Sequence, residues 1–431
     1  MNELPVRPED LRALGALFAP GSVADPYPAY ARWREERPVA RPRERLYVLS
    51  RFADCEAVLA DPAFGRIDED RERLSPARPR ADGRRQDDPV STGSLLRLNP
   101  PDHTRLRRLV SRAFTPARVR ELAPRVEELT AELLAAELPA EAGDGPALAA
   151  GGRFDLIAGL AQPLPVAVIS ELLGVPPGDR PRLVAWSAAL TRALDPAFLV
   201  SDEERARQRA ARADFAAYLR GLLSSRRRSP GGDLISALAG VQDAGGSLTE
   251  DELVGLCMLL LVAGHETTRS LIGGAVLALL RHPAELAALA ADPSLADQAV
   301  EEVLRYDPPV QVVSRSALRS TEIAGITVAA GSFVLMLLGA ANRDPVLCAD
   351  PDQFSVRRGA RRHLAFGHGI HFCLGAPLAR LEAAIGLRQL LPLLPRLRIA
   401  SEPEWKPNTA LRGLEHLWLE RADAARPPAP R

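Results

Sequence analysis

Apolar residues recur at helical spacing over most of this chain, and in a few stretches the rhythm changes to strict alternation. Pro26–Glu36 and Arg51–Ala60 predict short helices, while Pro38–Leu49 between them alternates as a β-hairpin turning near Glu44-Arg45. Arg66–Thr92, crowded with Asp, Glu, Arg and Pro, predicts a mobile loop. Pro100-Pro-Asp opens a further helix, and Val119–Arg228 is predominantly helical, broken at Pro163, at Val175-Pro-Pro-Gly-Asp179 and at Leu194–Val200. The last break is apolar where a surface loop is ordinarily polar, so Phe198 and Leu199 are candidates to face an apolar small molecule. Val310–Leu338 alternates again, with Gly325 and Gly331 as turns. The pattern predicts a mainly α fold: a helical body with small β-sheets.

The longest periodic segment starts at Leu248-Thr-Glu-Asp-Glu252, with Thr249 as N-cap, Glu252 closing a capping box and Leu248 against Leu253. No breaker follows before Pro283, so the helix runs to about Arg281, roughly 50 Å at 1.5 Å per residue. It is apolar on nearly all sides from Leu253 to Val262, hence buried. Its centre, Ala263-Gly-His-Glu-Thr-Thr268, is polar where unpaired polar groups are costly. Gly264 lets a ligand approach the backbone, Thr267 can open the helix by bonding an upstream carbonyl, and Glu266 beside Thr267 supplies an acid and an alcohol for proton transfer. His265-Glu266 begins the H-E-x-x-H zinc motif, but Arg269 stands at the second His position. A buried Glu266–Arg269 pair is the structural alternative.

A second concentration of chemistry is Phe366-Gly-His-Gly-Ile-His-Phe-Cys-Leu-Gly375. Pro377 suits a first helical turn, which puts Cys373 just upstream of a helix start, where backbone N–H groups steady a thiolate. Gly369 and Gly375 bracket the cysteine in a loop whose backbone must pass close to a flat group, and Phe366 would cover the sulfur. The spacing F-x-x-G-x-x-x-C-x-G would arise by chance in roughly five of ten thousand chains of this composition. His103 and Arg107 stand at i and i+4 on one face of the helix after Pro100-Pro101, two cationic donors suited to an acid.

Composition narrows the setting. Fifty-five basic residues balance fifty-five acidic ones, so nothing global points to nucleic acid or an anionic membrane. Cys55, Cys257, Cys348 and Cys373 are scattered without C-x-x-C pairs, against a disulfide framework. The N-terminus lacks a signal peptide's basic and apolar regions, and no apolar run reaches the ~20 residues that span a bilayer, so a cytoplasmic protein is expected. Lys406 is the only lysine, which reads as coding bias with no bearing on mechanism.

The loop around Cys373 resembles the cysteine-ligand loop of the cytochromes P-450, the haem-thiolate monooxygenases, and Ala263–Thr268 is similar to their distal-pocket motif. The resemblance covers about residues 20–420 and implies a single-domain fold over 1–431, with residues 66–92 as a lid. It implies a haem b cofactor (heme, iron protoporphyrin IX) with Cys373 as axial metal ligand, His103, Arg107, Arg315 and His371 on the propionates, and Glu266 with Thr267 as proton relay. Glu302-x-x-Arg305 with Arg358 matches the buried ion cluster that locks the segment before the haem loop. Asn342-Arg-Asp-Pro345 also fits, although Cys348 stands where an aromatic is usual. Ile399–Leu419 resembles the hairpin that enters the substrate pocket. The implied reaction inserts one atom of O2 into a fairly apolar substrate, such as a bacterial macrolide intermediate. With no flavin or nicotinamide site in the chain, electrons are expected from a ferredoxin and its reductase, docking on a monomer near Arg108, Arg112, Arg361, Arg362 and Arg380. The alternatives are a non-catalytic haem sensor or carrier, for which the Glu266-Thr267 pair is superfluous, and zinc held by His368, His371 and Cys373, which lacks a fourth ligand.

Overall fold

The computed structural model describes residues 4–67, 94–113, 115–137, 152–191, 200–240, 242–243, 246–359 and 362–422. The predicted lid over 66–92 falls outside them except for Arg66 and Ile67, as do Phe198, Leu199 and Arg361. Glu250–Arg281 is one helix of 32 residues, capped as its sequence requires: Thr249 Oγ1 accepts from the Glu252 N–H, and the Glu252 carboxylate accepts from the Thr249 N–H. Pro163–Leu173, Arg180–Thr191, Asp202–Arg228, Ala296–Tyr306 and Ala376–Leu390 all pack against it. Leu253–Met258 and Leu271–Leu279 are buried almost throughout, which is why this helix carries apolar residues on every side. Among the described residues no single helix is long and apolar enough to cross a membrane.

Beside the helical body lies a five-stranded sheet in the order Val39–Arg43, Leu46–Leu49, Phe333–Leu337, Val312–Ala317, Phe64–Gly65. Leu46–Leu49 and Phe333–Leu337 run parallel, Phe333 facing Leu46 and Met336 facing Leu49; the other pairs are antiparallel. The expected turn residues are in place, with Arg45 at φ 59°, Gly325 at 76° and Gly331 at 73°.

Three elements depart from expectation. Pro8–Leu17, ahead of the first element the sequence pattern predicts, is a helix with Pro in its first turn and Glu9 and Asp10 near its N-terminus, burying Leu14 and Leu17. Arg153–Asp155 is a strand within the stretch predicted helical. It pairs with Trp418–Arg421, which also pairs with Leu397–Ile399. The single C-terminal hairpin expected over Ile399–Leu419 is thus two nested pieces, the inner one Glu404–Trp405 against Leu414–His416.

Candidate functional site

Cys373 is held by its own loop. Its N–H donates to the Phe366 carbonyl (2.9 Å), closing the turn, and Ala376–Leu390 begins three residues on with Pro377 in its first turn. Gly367 and Gly369 have φ of 71° and 68°. A Cβ at Gly369 would lie 2.3 Å from the Leu59 carbonyl oxygen, so glycine is required there by conformation and by space. Gly375 is different: its φ is ordinary for any residue, and a Cβ would meet the Cys373 sulfur at 4.0 Å. Burial pushes the thiol's pKa up, while the N–H groups of Gly375 and Ala376 and the Arg107 charge pull the other way. Phe366 lies under the Arg380 guanidinium, 4.5 Å from its ring centre.

Near the sulfur, which interacts electrostatically with Arg107, basic groups converge, and among the described residues no anion accompanies them. The His103 and His371 rings stand 4.4 Å apart, and the buried Nε2 of each lacks a hydrogen-bond partner. Burial, then Arg315, His103, Arg66 and Arg107, drive the His371 pKa down to about 2. Burial and Arg66 lower that of Arg315 to about 9. Among the described residues no carboxylate pairs with Arg66, Arg107 or Arg315. Concentrating buried positive charge in this way is costly unless an anion compensates it. The cluster therefore fits the two carboxylates of a haem, and the N–H donors at Cys373 fit its thiolate ligand. The polar neighbours of Arg66 predict a loop, but its backbone is clamped to the Asn99 side chain by two hydrogen bonds (2.8 and 2.7 Å) and its charge bears on this cluster.

At the centre of the long helix, four side chains bond the carbonyl one turn back: His265 to Leu261, Thr267 to Ala263 (2.6 Å), Thr268 to Gly264 and Ser270 to Glu266. Ala263 is exposed midway along this helix, between its two buried stretches. A Cβ at Gly264 would meet Ile169 only at 3.5 Å, so packing does not demand glycine there. Glu266 and Thr267 share no hydrogen bond. The Glu266 carboxylate is 2.7 Å from the ammonium of Lys406, 3.5 Å from His265 Nε2 and 3.8 Å from Arg269 Nη1. Burial opposes its ionisation, yet His265 and Lys406 prevail and hold it well below the usual carboxylate range. The expected Glu266–Arg269 contact exists, but Lys406 is the nearer partner. The sequence pattern assigns this lysine no partner, because nothing local joins it to a residue 140 positions away.

Glu302 and Arg305 are fully buried and pair through two bonds of 2.8 and 2.9 Å. Arg358 joins Glu302 at 3.1 Å, and the two arginines donate to the carbonyls of Ala349, Asp350, Pro351 and Gln353, fixing that irregular segment. The proposed basic patch carries less free charge than its sequence suggests. Arg362 pairs with Glu56 at 2.6 Å and Arg380 with Glu301 at 2.5 Å, and the Arg112 side chain lies outside the described residues. Among the described residues no group of three His, Cys, Asp or Glu is placed to hold a metal ion by itself.

Comparison with known proteins agrees with this geometry. The family profile described as cytochrome P-450 matches residues 69–394. The chain is 43% identical over 435 residues to the cytochrome P-450 monooxygenase PikC of Streptomyces venezuelae, covering 97% of this chain and 96% of that protein. It is 44% identical over 324 residues to the 6-deoxyerythronolide B hydroxylase of Saccharopolyspora erythraea, covering 74% and 76%. The ligand-free crystal structure of CYP164A2 from Mycobacterium smegmatis matches with a TM-score of 0.83 at 45% identity, over 95% of this chain and 99% of that one. With relatives of this extent, a helical body around one long helix and a thiol beside a cluster of basic side chains, the chain belongs to the cytochrome P-450 family of monooxygenases.

Proposed function

We propose that this monooxygenase binds haem b through the Cys373 thiolate and hydroxylates or epoxidises a largely apolar natural-product intermediate of macrolide type, as a single-domain cytoplasmic monomer supplied with electrons by a ferredoxin and its reductase. Bound haem supplies the centre at which O2 is cleaved, one atom entering a C–H or C=C bond of the substrate and the other leaving as water. His103, Arg107, Arg315 and His371, with Arg66 added, hold the propionates. The N–H groups of Gly375 and Ala376 steady the sulfur's charge, and Phe366 shields it. Thr267 hands protons inward from its hydroxyl, and Glu266 replenishes them. The substrate class rests on the relative named for 6-deoxyerythronolide B and on the apolar character of Leu194–Val200. Arg108, Arg362 and Arg380 form the proposed ferredoxin surface, and each is already engaged by a neighbouring group.

The observation that carries this reading is a basic cluster that no carboxylate compensates among the described residues, beside a thiol that is itself met by backbone donors. The ferrous protein under carbon monoxide should show the red-shifted Soret band of thiolate ligation, and C373A should lose that band. A colourless preparation that cannot be reconstituted with haem would overturn the assignment.

A further inference from the structure

Lys406, the chain's only lysine, stands at the inner C-terminal hairpin, where its N–H donates to the Gly413 carbonyl (3.0 Å). That hairpin is sewn to the long helix beside the proposed proton relay. Arg269 Nη2 donates to the Glu415 carbonyl (3.2 Å), and a Cβ at Gly413 would lie 2.1 Å from Ser270 Oγ, so the hairpin backbone passes directly over the helix. Lys406 Nζ reaches Glu266 Oε2 at 2.7 Å, with the two side chains only 16% and 6% exposed. Elsewhere the chain uses Arg for cations, whose planar fork spreads charge over two oxygens; a lysine puts a point charge on one. In this arrangement Glu266 is engaged with the hairpin while the Thr267 hydroxyl is engaged with the Ala263 carbonyl.

We infer that Lys406 is a positioning residue for proton delivery: its ammonium keeps the Glu266 carboxylate directed at the hairpin, and Glu266 serves Thr267 only when that ion pair opens. The inference rests on the relay reading above. When the pair opens, Glu266 Oε2 takes a proton from water and gives it to the Thr267 oxygen as that hydroxyl passes its own proton inward. Lys406 keeps its three hydrogens throughout and forms no covalent bond. The hairpin's seat on the helix thereby sets when protons are delivered.

The test uses the haem-loaded K406M and K406R variants, each first checked for an unaltered carbon monoxide band. Two quantities are read: NADPH consumption driven by a plant ferredoxin and its reductase without added substrate, and the infrared band of protonated Glu266, assigned by its loss in E266Q. Removing an opposite charge raises a carboxylate pKa by about 1–3 units. In K406M the band should therefore appear at higher pH, and substrate-free NADPH consumption should rise about tenfold, the gain in protonated acid that one unit, the lower end of that range, gives. K406R keeps the positive charge, so its band should stay near the wild-type pH. A shifted band with unchanged NADPH consumption would overturn the gating role, and an unshifted band would overturn the ion pair itself. If K406M loses its haem, K406Q carries the same expectations. A wild-type protein without the thiolate band would instead refute the function proposed above, so the two failures are distinguishable.

Discussion

Arg66 stands at the head of a polar segment, yet its guanidinium bears on His371 and Arg315. A hydrogen bond to a charged group contributes about 1.5 kcal/mol. R66M should therefore release haem to apomyoglobin about tenfold faster than wild type, with the carbon monoxide band in place; an unchanged transfer rate would remove Arg66 from the propionate set. Arg66 and Lys406 were illegible in the sequence for the same reason. Both act on partners far along the chain, and only topology decides which charges meet. Cys373 was legible because its constraints are local: two glycines at positive φ, one of them against the Leu59 carbonyl, and a proline in the next helix all lie within ten residues of it.

At the scale of elements, the long helix was readable to both ends because its capping box and the proline beyond Arg281 are local signals that burial reinforces. Thr249 is the one side chain accepting at its N-cap, and loss of such a cap costs about 1 kcal/mol. T249A should lower the urea midpoint by a corresponding amount while the spectrum of the folded protein stays the same; an unchanged midpoint would mean the helix start is held by packing and by the Arg105–Glu252 pair. Pro8–Leu17 and Arg153–Asp155 escaped notice because short elements owe little to propensity. The first exists by burying Leu14 and Leu17, and the second by pairing with Trp418–Arg421.

Across the whole molecule, the basic and acidic totals cancel, so acid stability depends on particular carboxylates. Glu301 joins the helix Ala296–Tyr306 to His363 and to Arg380 of the helix after the cysteine. Burial opposes its ionisation, but His363 and Arg380 bring its pKa from 4.5 down to about 2. Because the folded value is the depressed one, this carboxylate's stabilisation is complete above about pH 4.5 and fades as the pH falls toward 2. E301Q should melt lower than wild type at neutral pH and lose less on acidification to about pH 3; parallel melting curves would refute the assignment. The five-stranded sheet, for its part, imposes an order on biosynthesis. Leu46–Leu49 pairs with Phe333–Leu337, so about 290 further residues must be synthesised before its neighbour exists. At roughly 5–20 residues per second, the N-terminal hairpin waits ~15–60 s. During that time Leu46, Tyr47 and Val48, all buried in the finished protein, present an open strand edge to whatever the emerging chain meets first, a chaperone or a neighbouring nascent copy.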